Sequence, residues 1–239
     1  MSRACKGVFV AGTDTEVGKT FVSAALVAGL RDQGLDVGYS KPVSTDGAQQ
    51  GGRLVSPDAL WVAGASGLDD PPPSMNPFCL AHALSPLAAA RLEGVELDWE
   101  QLLFQVRAGL KGHDAYVCEG VGGVLVPLLP DRTALDLMAE LGLAVVIAAR
   151  PGLGTINHSL LTIRAVRARG LEVLGFIFSG QEEEQDRASA NALNSQLIAE
   201  FSDAPFLGAL PWLENPAPLE LAQAAREHLD LGPILKACA

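Results

Sequence analysis

The chain has 239 residues, 49% hydrophobic and 19% charged, with a formal net charge of -11. A balance this acidic argues against nucleic-acid or anionic-membrane partners, which require basic patches. No run approaches the ~18 consecutive apolar residues that suggest a membrane span, and the opening "MSRACKG" lacks the apolar stretch and cleavage site of a signal peptide.

The four cysteines, Cys5, Cys79, Cys118 and Cys238, are scattered without metal-type spacing. A reduced, cytoplasmic location is expected.

In chain order, residues 7–11, "GVFVA", form a short apolar run closed by Gly12 and read as a buried strand. Residues 20–33 are rich in Ala and Leu and end before Gly34, as a helix would. Residues 36–43, "DVGYSKPV", read as a second strand stopped by Pro42, completing a strand–helix–strand unit. Segments 44–57 and 65–77 are Gly-, Pro- and Ser-rich and read as loops around a short helix near 58–63. Helix–strand pairs then recur: 99–112 with 114–120, 134–142 with 144–150, 157–170 with 172–180, and 188–201 with 206–211. A closing helix is expected over 219–231. The strand runs are continuously apolar, as when both faces are covered. The expected fold is α/β: a three-layer, mainly parallel sheet with helices on both faces, in one domain over residues 1–239.

The stretch "GTDTEVGKT" (12–20) lies between the first strand and the first helix. A Gly-rich turn there aims backbone N–H groups and the helix N-terminus at an anion. Gly18 allows close approach, Lys19 reaches the β- and γ-phosphates, and Thr20 can ligate Mg²⁺. The spacing is irregular: five residues, not the usual four, separate Gly12 from the Gly-Lys pair. Asp14 is equally readable as a solvated carboxylate, whereas Glu16 beside the loop favours a site role.

Lys41 and Glu119 stand at strand ends, where an α/β sheet opens its ligand crevice. Lys41 can neutralise a second anion. Glu119 suits Mg²⁺, which takes one or two carboxylates plus phosphate oxygens, and "GVGG" (120–123) behind it leaves room for a substrate. Asp58 reads equally as a helix N-cap or a metal ligand. "GLGTINH" (152–158) opens another helix. Its N-terminus could hold a carboxylate, or Thr155 or Asn157 could simply cap it; His158 reads as structural.

Taken together, "GTDTEVGKT", "KPV" (41–43), "EGVGG" (119–123), "GTINH" (154–158) and "PWLENP" (211–216) resemble the ATP-dependent dethiobiotin synthetase family, in family order and across nearly the whole chain. The resemblance makes the five-residue spacing a family trait. It implies a biotin-pathway ligase that uses ATP, CO₂ and 7,8-diaminopelargonic acid with Mg²⁺. A carbamate would form on one amine and attack the γ-phosphate, giving a carbamic–phosphoric anhydride, and the second amine would close the ring. It implies Lys41, Lys19 and Thr20 as catalytic groups and Thr20, Asp58 and Glu119 as metal ligands. ATP would contact Thr15, Glu16, Val17, Gly18, Lys19, Thr20, Asp58, Glu119, Gly120, Gly122, Ser179, Pro211, Trp212, Leu213 and Glu214. Substrate would contact Thr13, Thr45, Gly122, Gly123 and Asn157. A homodimer is implied, with the 152–158 turn reaching the neighbour's substrate carboxylate. Two positions depart from the pattern: Ser179 stands where the family usually has Asn, and Asn191 where it can have Tyr.

The competing reading is a phosphate-loop switch ATPase of the partitioning type. Such proteins usually carry an extra lysine early in the loop, where this chain has Thr13. Glutamine-dependent relatives need a second, amidotransferase domain, for which 239 residues leave no room.

Overall fold

The computed structural model describes residues 6–181 and 185–239, with the backbone alone at 181 and 185–189. Cys5 and part of the 180–187 stretch lie outside the described residues. In chain order the elements are β1 (Gly7–Gly12), α1 (Lys19–Asp32), β2 (Val37–Ser40), β3 (Val43–Ser44), β4 (Ala48–Gln50), β5 (Arg53–Val55), α2 (Pro57–Ser66), α3 (Pro72–Met75) and β6 (Phe78–Cys79). There follow α4 (Pro86–Glu93), α5 (Trp99–Gly109), β7 (Ala115–Gly123), β8 (Pro127–Leu129), β9 (Arg132–Thr133), α6 (Ala134–Leu141), β10 (Ala144–Ala149) and α7 (Thr155–Ala168). The chain closes with β11 (Val173–Gln181), α8 (Gln185–Ser202), β12 (Phe206–Pro211), α9 (Pro218–His228) and α10 (Gly232–Cys238).

Six strands build the central sheet in the order β12-β11-β10-β1-β7-β2. Every pairing in it is parallel. Successive residues of a strand point to opposite faces, and here both faces are dry. Val8 and Val10 of β1 join Val22, Leu26 and Leu30 of α1, Val62 of α2, Leu221 of α9 and Ile234 of α10 in one core. Phe9 and Ala11 join Leu102 and Val106 of α5, Met138 of α6, Ile163 of α7 and Ile198 of α8 in the other. Covering both faces requires apolar residues at both parities, hence the unbroken apolar runs. All six carboxyl ends share one edge, and the first strand sits mid-sheet with its phosphate-type loop opening onto that edge.

The structure amends several boundaries. The strand expected over 36–43 ends at Ser40, and Val43–Ser44 pairs instead with Phe78–Cys79. The 44–57 loop contains the β4–β5 hairpin. The helix near 58–63 is the longer α2, and its cap is Ser56, whose Oγ accepts from the Ala59 N–H at 3.3 Å. Asp58 is therefore not the cap; it lies in the first turn. The "GVGG" segment is not a turn after the strand. It continues β7 through a register irregularity between the Val10–Glu119 and Gly12–Gly123 pairs. α7 begins at Thr155 after Gly154 in the left-handed region, without a side-chain cap from Thr155 or Asn157. Helices α3, α4 and α10 were not anticipated.

Candidate active site

The loop between β1 and α1 holds its shape through two glycines. Gly18 has φ of 85°, and a Cβ there would lie 2.1 Å from Ser179 Oγ, so no larger residue fits. At Gly12 a Cβ would lie 2.8 Å from Lys19 Nζ. Lys19 thus folds back over Gly12, and its Nζ donates to the Asp14 carbonyl at 2.9 Å. The Asp14 carboxylate accepts from the Thr15 N–H at 2.8 Å, which spends it on loop geometry. Glu16 is held at φ of 56°, unusual for a residue with a side chain.

Lys41, just beyond β2, and Glu119, in β7, meet beside this loop. Lys41 Nζ donates to Glu119 Oε1 at 2.7 Å and also to Asp58 at the start of α2. Thr20 Oγ1 donates to the same Glu119 oxygen at 2.9 Å. The other oxygen, Oε2, accepts from Tyr39 Oη at 2.7 Å. Glu119 is 0% exposed and Lys41 4%. A buried charge survives only when paired and hydrogen-bonded, and here each has its partners.

The two lysines titrate in opposite directions. Burial dominates at Lys19 and, with the nearby Lys41 charge, lowers it to about 8 against the pull of Glu119. Lys19 therefore loses its proton more readily than an ordinary lysine, and a phosphate anion beside it would favour the charged form. At Lys41 burial also pushes downward, but Glu119 and Asp58 outweigh it and raise the value. The difference lies in the partners: Lys41 has two carboxylates, Lys19 a carbonyl. Tyr39 is driven well above its ordinary range by burial and by Glu119, so its hydroxyl stays a donor.

These groups face a cavity of about 550 Å³. It gathers most of the residues singled out in the sequence: Thr15, Glu16, Gly18, Lys19, Thr20, Lys41, Thr45, Asp58, Glu119, Gly122, Ser179, Trp212, Leu213 and Glu214. Thr13, Val17, Gly120, Gly123, Asn157 and Pro211 are not on its wall. Val17 instead lines a second cavity of about 700 Å³ with Arg150, Gly152, Leu153 and Asn191. The sequence reading missed Phe21, Trp61 and Val121 on the wall. It also missed Tyr39 behind Glu119; no local pattern marks a strand tyrosine as the partner of a carboxylate 80 residues away.

A parallel sheet, a glycine-shaped loop before a helix, and buried lysines with a carboxylate at its carboxyl edge define a phosphate-loop nucleotide-binding α/β protein. The family model described as "AAA domain" matches residues 6–218. The septum site-determining protein MinD from Pyrococcus horikoshii, solved with Mg-ADP, superposes with a TM-score of 0.56 at 16% identity, covering 97% of this chain and 98% of that one. At that identity the likeness shows the fold alone.

Closer relatives narrow the class. The chain is 41% identical over 233 residues to the ATP-dependent dethiobiotin synthetase of Anaeromyxobacter dehalogenans, covering 97% of this chain and 98% of the relative. It is 33% identical over 236 residues to that of Thermodesulfovibrio yellowstonii, covering 96% and 98%. The chain belongs to the ATP-dependent dethiobiotin synthetase family.

Proposed function

We propose that this chain joins CO₂ to 7,8-diaminopelargonic acid with ATP, forming dethiobiotin, ADP and phosphate. Family membership carries the coarser statement, an ATP-dependent ligase of biotin biosynthesis. The observation that supports the finer one is the meeting of Lys19, Lys41, Thr20, Asp58 and Glu119 on one cavity wall.

The chemistry runs in three steps. One substrate amine attacks CO₂ and loses a proton, giving a carbamate. A carbamate oxygen attacks the γ-phosphorus, ADP leaves, and a carbamic–phosphoric anhydride forms. The second amine attacks the carbonyl carbon, expels phosphate and loses its proton as the ring closes. The second step brings one anion to another, so neutralising charge and fixing positions are the main tasks. Lys19, on the phosphate side, and Lys41, toward the substrate side at Thr45, divide that work.

The donor set fits magnesium. Thr20 Oγ1 and Glu119 Oε1 are 2.9 Å apart, and Asp58 shares Lys41 with Glu119. All are hard oxygens. Mg²⁺ takes one or two carboxylates and completes its shell with phosphate oxygens and water; Asp58 and Glu119 supply the carboxylates here. Thr20, Asp58 and Glu119 would hold Mg²⁺, which supplies charge neutralisation at the transferred phosphoryl group.

In the same reading, the loop residues Thr15, Glu16, Val17 and Gly18 cradle the phosphates, with Gly120 and Gly122 beside them. Trp212, Leu213 and Glu214, after Pro211, face the base. Ser179 offers the base one hydroxyl rather than the two-point contact of an amide, so selection for adenine is expected to be weak. Thr13, Thr45, Gly122, Gly123 and Asn157 are assigned to the substrate. The working unit is a homodimer, with the turn at Gly152 and the exposed Leu153 meeting the neighbour's substrate.

The test measures ADP release with bicarbonate and the diamine, each alone and together, and separately with DNA or anionic vesicles. Release that requires both bicarbonate and diamine supports the proposal. Release that answers to DNA or lipid and ignores the diamine would make this a switch ATPase instead.

A further inference from the structure

The chain leaves the central sheet at Lys41. β2 ends at Ser40, and Pro42 brings no N–H to continue a ladder. Yet both peptide groups of Lys41 are bonded. Its N–H donates to the Met75 carbonyl at 2.7 Å. Its carbonyl accepts from Asn76 Nδ2 at 2.6 Å.

Asn76 is 8% exposed, and its whole amide is engaged. Nδ2 also donates to the Phe78 carbonyl at 3.1 Å, and Oδ1 accepts from Ser44 Oγ at 3.0 Å. The side chain therefore ties down the break from three directions: Lys41 before Pro42, Ser44 after it, and Phe78 in the neighbouring β6. Its orientation is fixed by chemistry, since two carbonyls require the NH₂ group and the hydroxyl supplies a hydrogen to the oxygen.

We propose that Asn76 is a positioning residue for Lys41, holding its backbone at the break so that the ammonium is delivered to the reacting anions. This rests on the role given to Lys41 above. The side chain of Lys41 is long and flexible, and Asp58 and Glu119 fix only its tip. Without the Asn76 bond the Lys41 carbonyl loses its partner and the peptide can rotate beneath a still-paired ammonium. The site would keep its charges and its nucleotide but lose its alignment.

Two substitutions separate positioning from architecture. Asn76→Ala removes both donors. Asn76→Asp keeps the shape but sets a carboxylate oxygen against two carbonyl oxygens. Turnover is measured per ADP-binding site counted by calorimetry, so unfolded protein does not enter the rate. Both variants are expected to lower kcat by roughly 10- to 100-fold, the cost of an ångström-scale misplacement. ADP affinity and KM for ATP should change by less than about twofold, because Asn76 touches no part of the phosphate loop. Asn76→Asp should be no better than Asn76→Ala despite its matching size. Wild-type kcat per site in either variant overturns the proposal, whatever the loss in folded protein. Should neither variant retain ADP-binding sites, Ser44→Ala decides: it removes the hydroxyl from the amide oxygen and from Cys79 Sγ, 3.3 Å away, leaving both amide donors in place, and a kcat per site equal to wild type would overturn the proposal. The wild type is run beside them; if it shows no diamine-dependent turnover, the functional reading itself has failed.

Discussion

Strands β2 and β7 lie side by side and carry an ionic cluster at each end. At the carboxyl end stand Lys41, Glu119, Asp58, Thr20 and Tyr39. At the amino end His113, just before β7, bonds Asp36, just before β2, through Nδ1 at 2.6 Å. Its Nε2 reaches both oxygens of Asp70 at 3.1 Å. The Tyr116 hydroxyl accepts from the Gly112 and His113 N–H groups at 2.7 and 3.1 Å. Both clusters join a cation to two carboxylates. Only the first buries its cation together with one of its carboxylates, Lys41 and Glu119 at 5% and 0% side-chain exposure, beside a cavity into which the 47%-exposed Asp58 opens. In the second, half of the Asp36 side chain is open to water, 53% by area, with Arg31 as a further partner at 3.9 Å. An ion-pair cluster alone does not mark a site; burial that forces charges to depend on one another, beside space for a ligand, does. The amino-end cluster is a clasp joining three segments.

Substitutions sharpen the contrast. The largest effect is expected from Lys41→Gln: kcat should fall by about 10²–10³-fold or more, as on losing one electrostatic stabiliser of the transition state. ADP affinity, measured by calorimetry, should hold. A variant that turns over normally would remove Lys41 from the reaction. Next is Glu119→Gln, for which the Mg²⁺ concentration giving half-maximal rate should rise by roughly 100-fold, the upper end for weakened metal ligation. An unchanged Mg²⁺ titration would take Glu119 out of the metal's reach. Tyr39→Phe deletes only the hydroxyl that orients Glu119. Mn²⁺ affinity for the ADP complex, read by electron paramagnetic resonance, should weaken by about 10-fold, as for a lost partner behind a metal ligand.

The smallest effect belongs to the clasp. Burial acts against charge on His113, but bonds to Asp36 and Asp70 outweigh it and raise its pKa above the usual value. A raised value in the folded state gives stability that is complete below the ordinary histidine range and is lost as pH rises through the raised value. His113→Asn should therefore lower Tm at pH 6 by no more than about 3 °C, given how little a part-exposed ion pair contributes in a chain this size. The deficit should shrink toward pH 8.5, with kcat unaffected. A deficit that does not vary with pH would show that the imidazolium is not the source.

How much could be read in advance differs between these regions for the same reason. Strands covered on both faces leave unbroken apolar runs, so the six central strands and their helices were legible. Phosphate-loop chemistry is local in sequence, so Gly18, Lys19 and Thr20 could be placed on a loop before a helix. Lys41 and Glu119 were legible as polar residues where apolar runs stop. Tyr39, Asn76 and the clasp at His113 were not, because each acts on a partner brought near only by folding. Phe21 and Trp61 looked like ordinary apolar helix residues until α1 and α2 set their rings 6.2 Å apart beside the cavity. The β4–β5 hairpin was hidden by its exposure: a short Gly-rich strand pair with little to bury carries no apolar pattern.

The central claim is that a buried pair of lysines and a carboxylate-held cation let a carbamate anion attack the γ-phosphate of ATP. Incubating the wild-type protein with ATP, Mg²⁺, the diamine and ¹³C-bicarbonate, then weighing the product by mass spectrometry, tests it most directly. The account predicts one ¹³C per ring-closed molecule and one ADP for each. ADP formed without labelled product, or label that never leaves the carbamate, would contradict it.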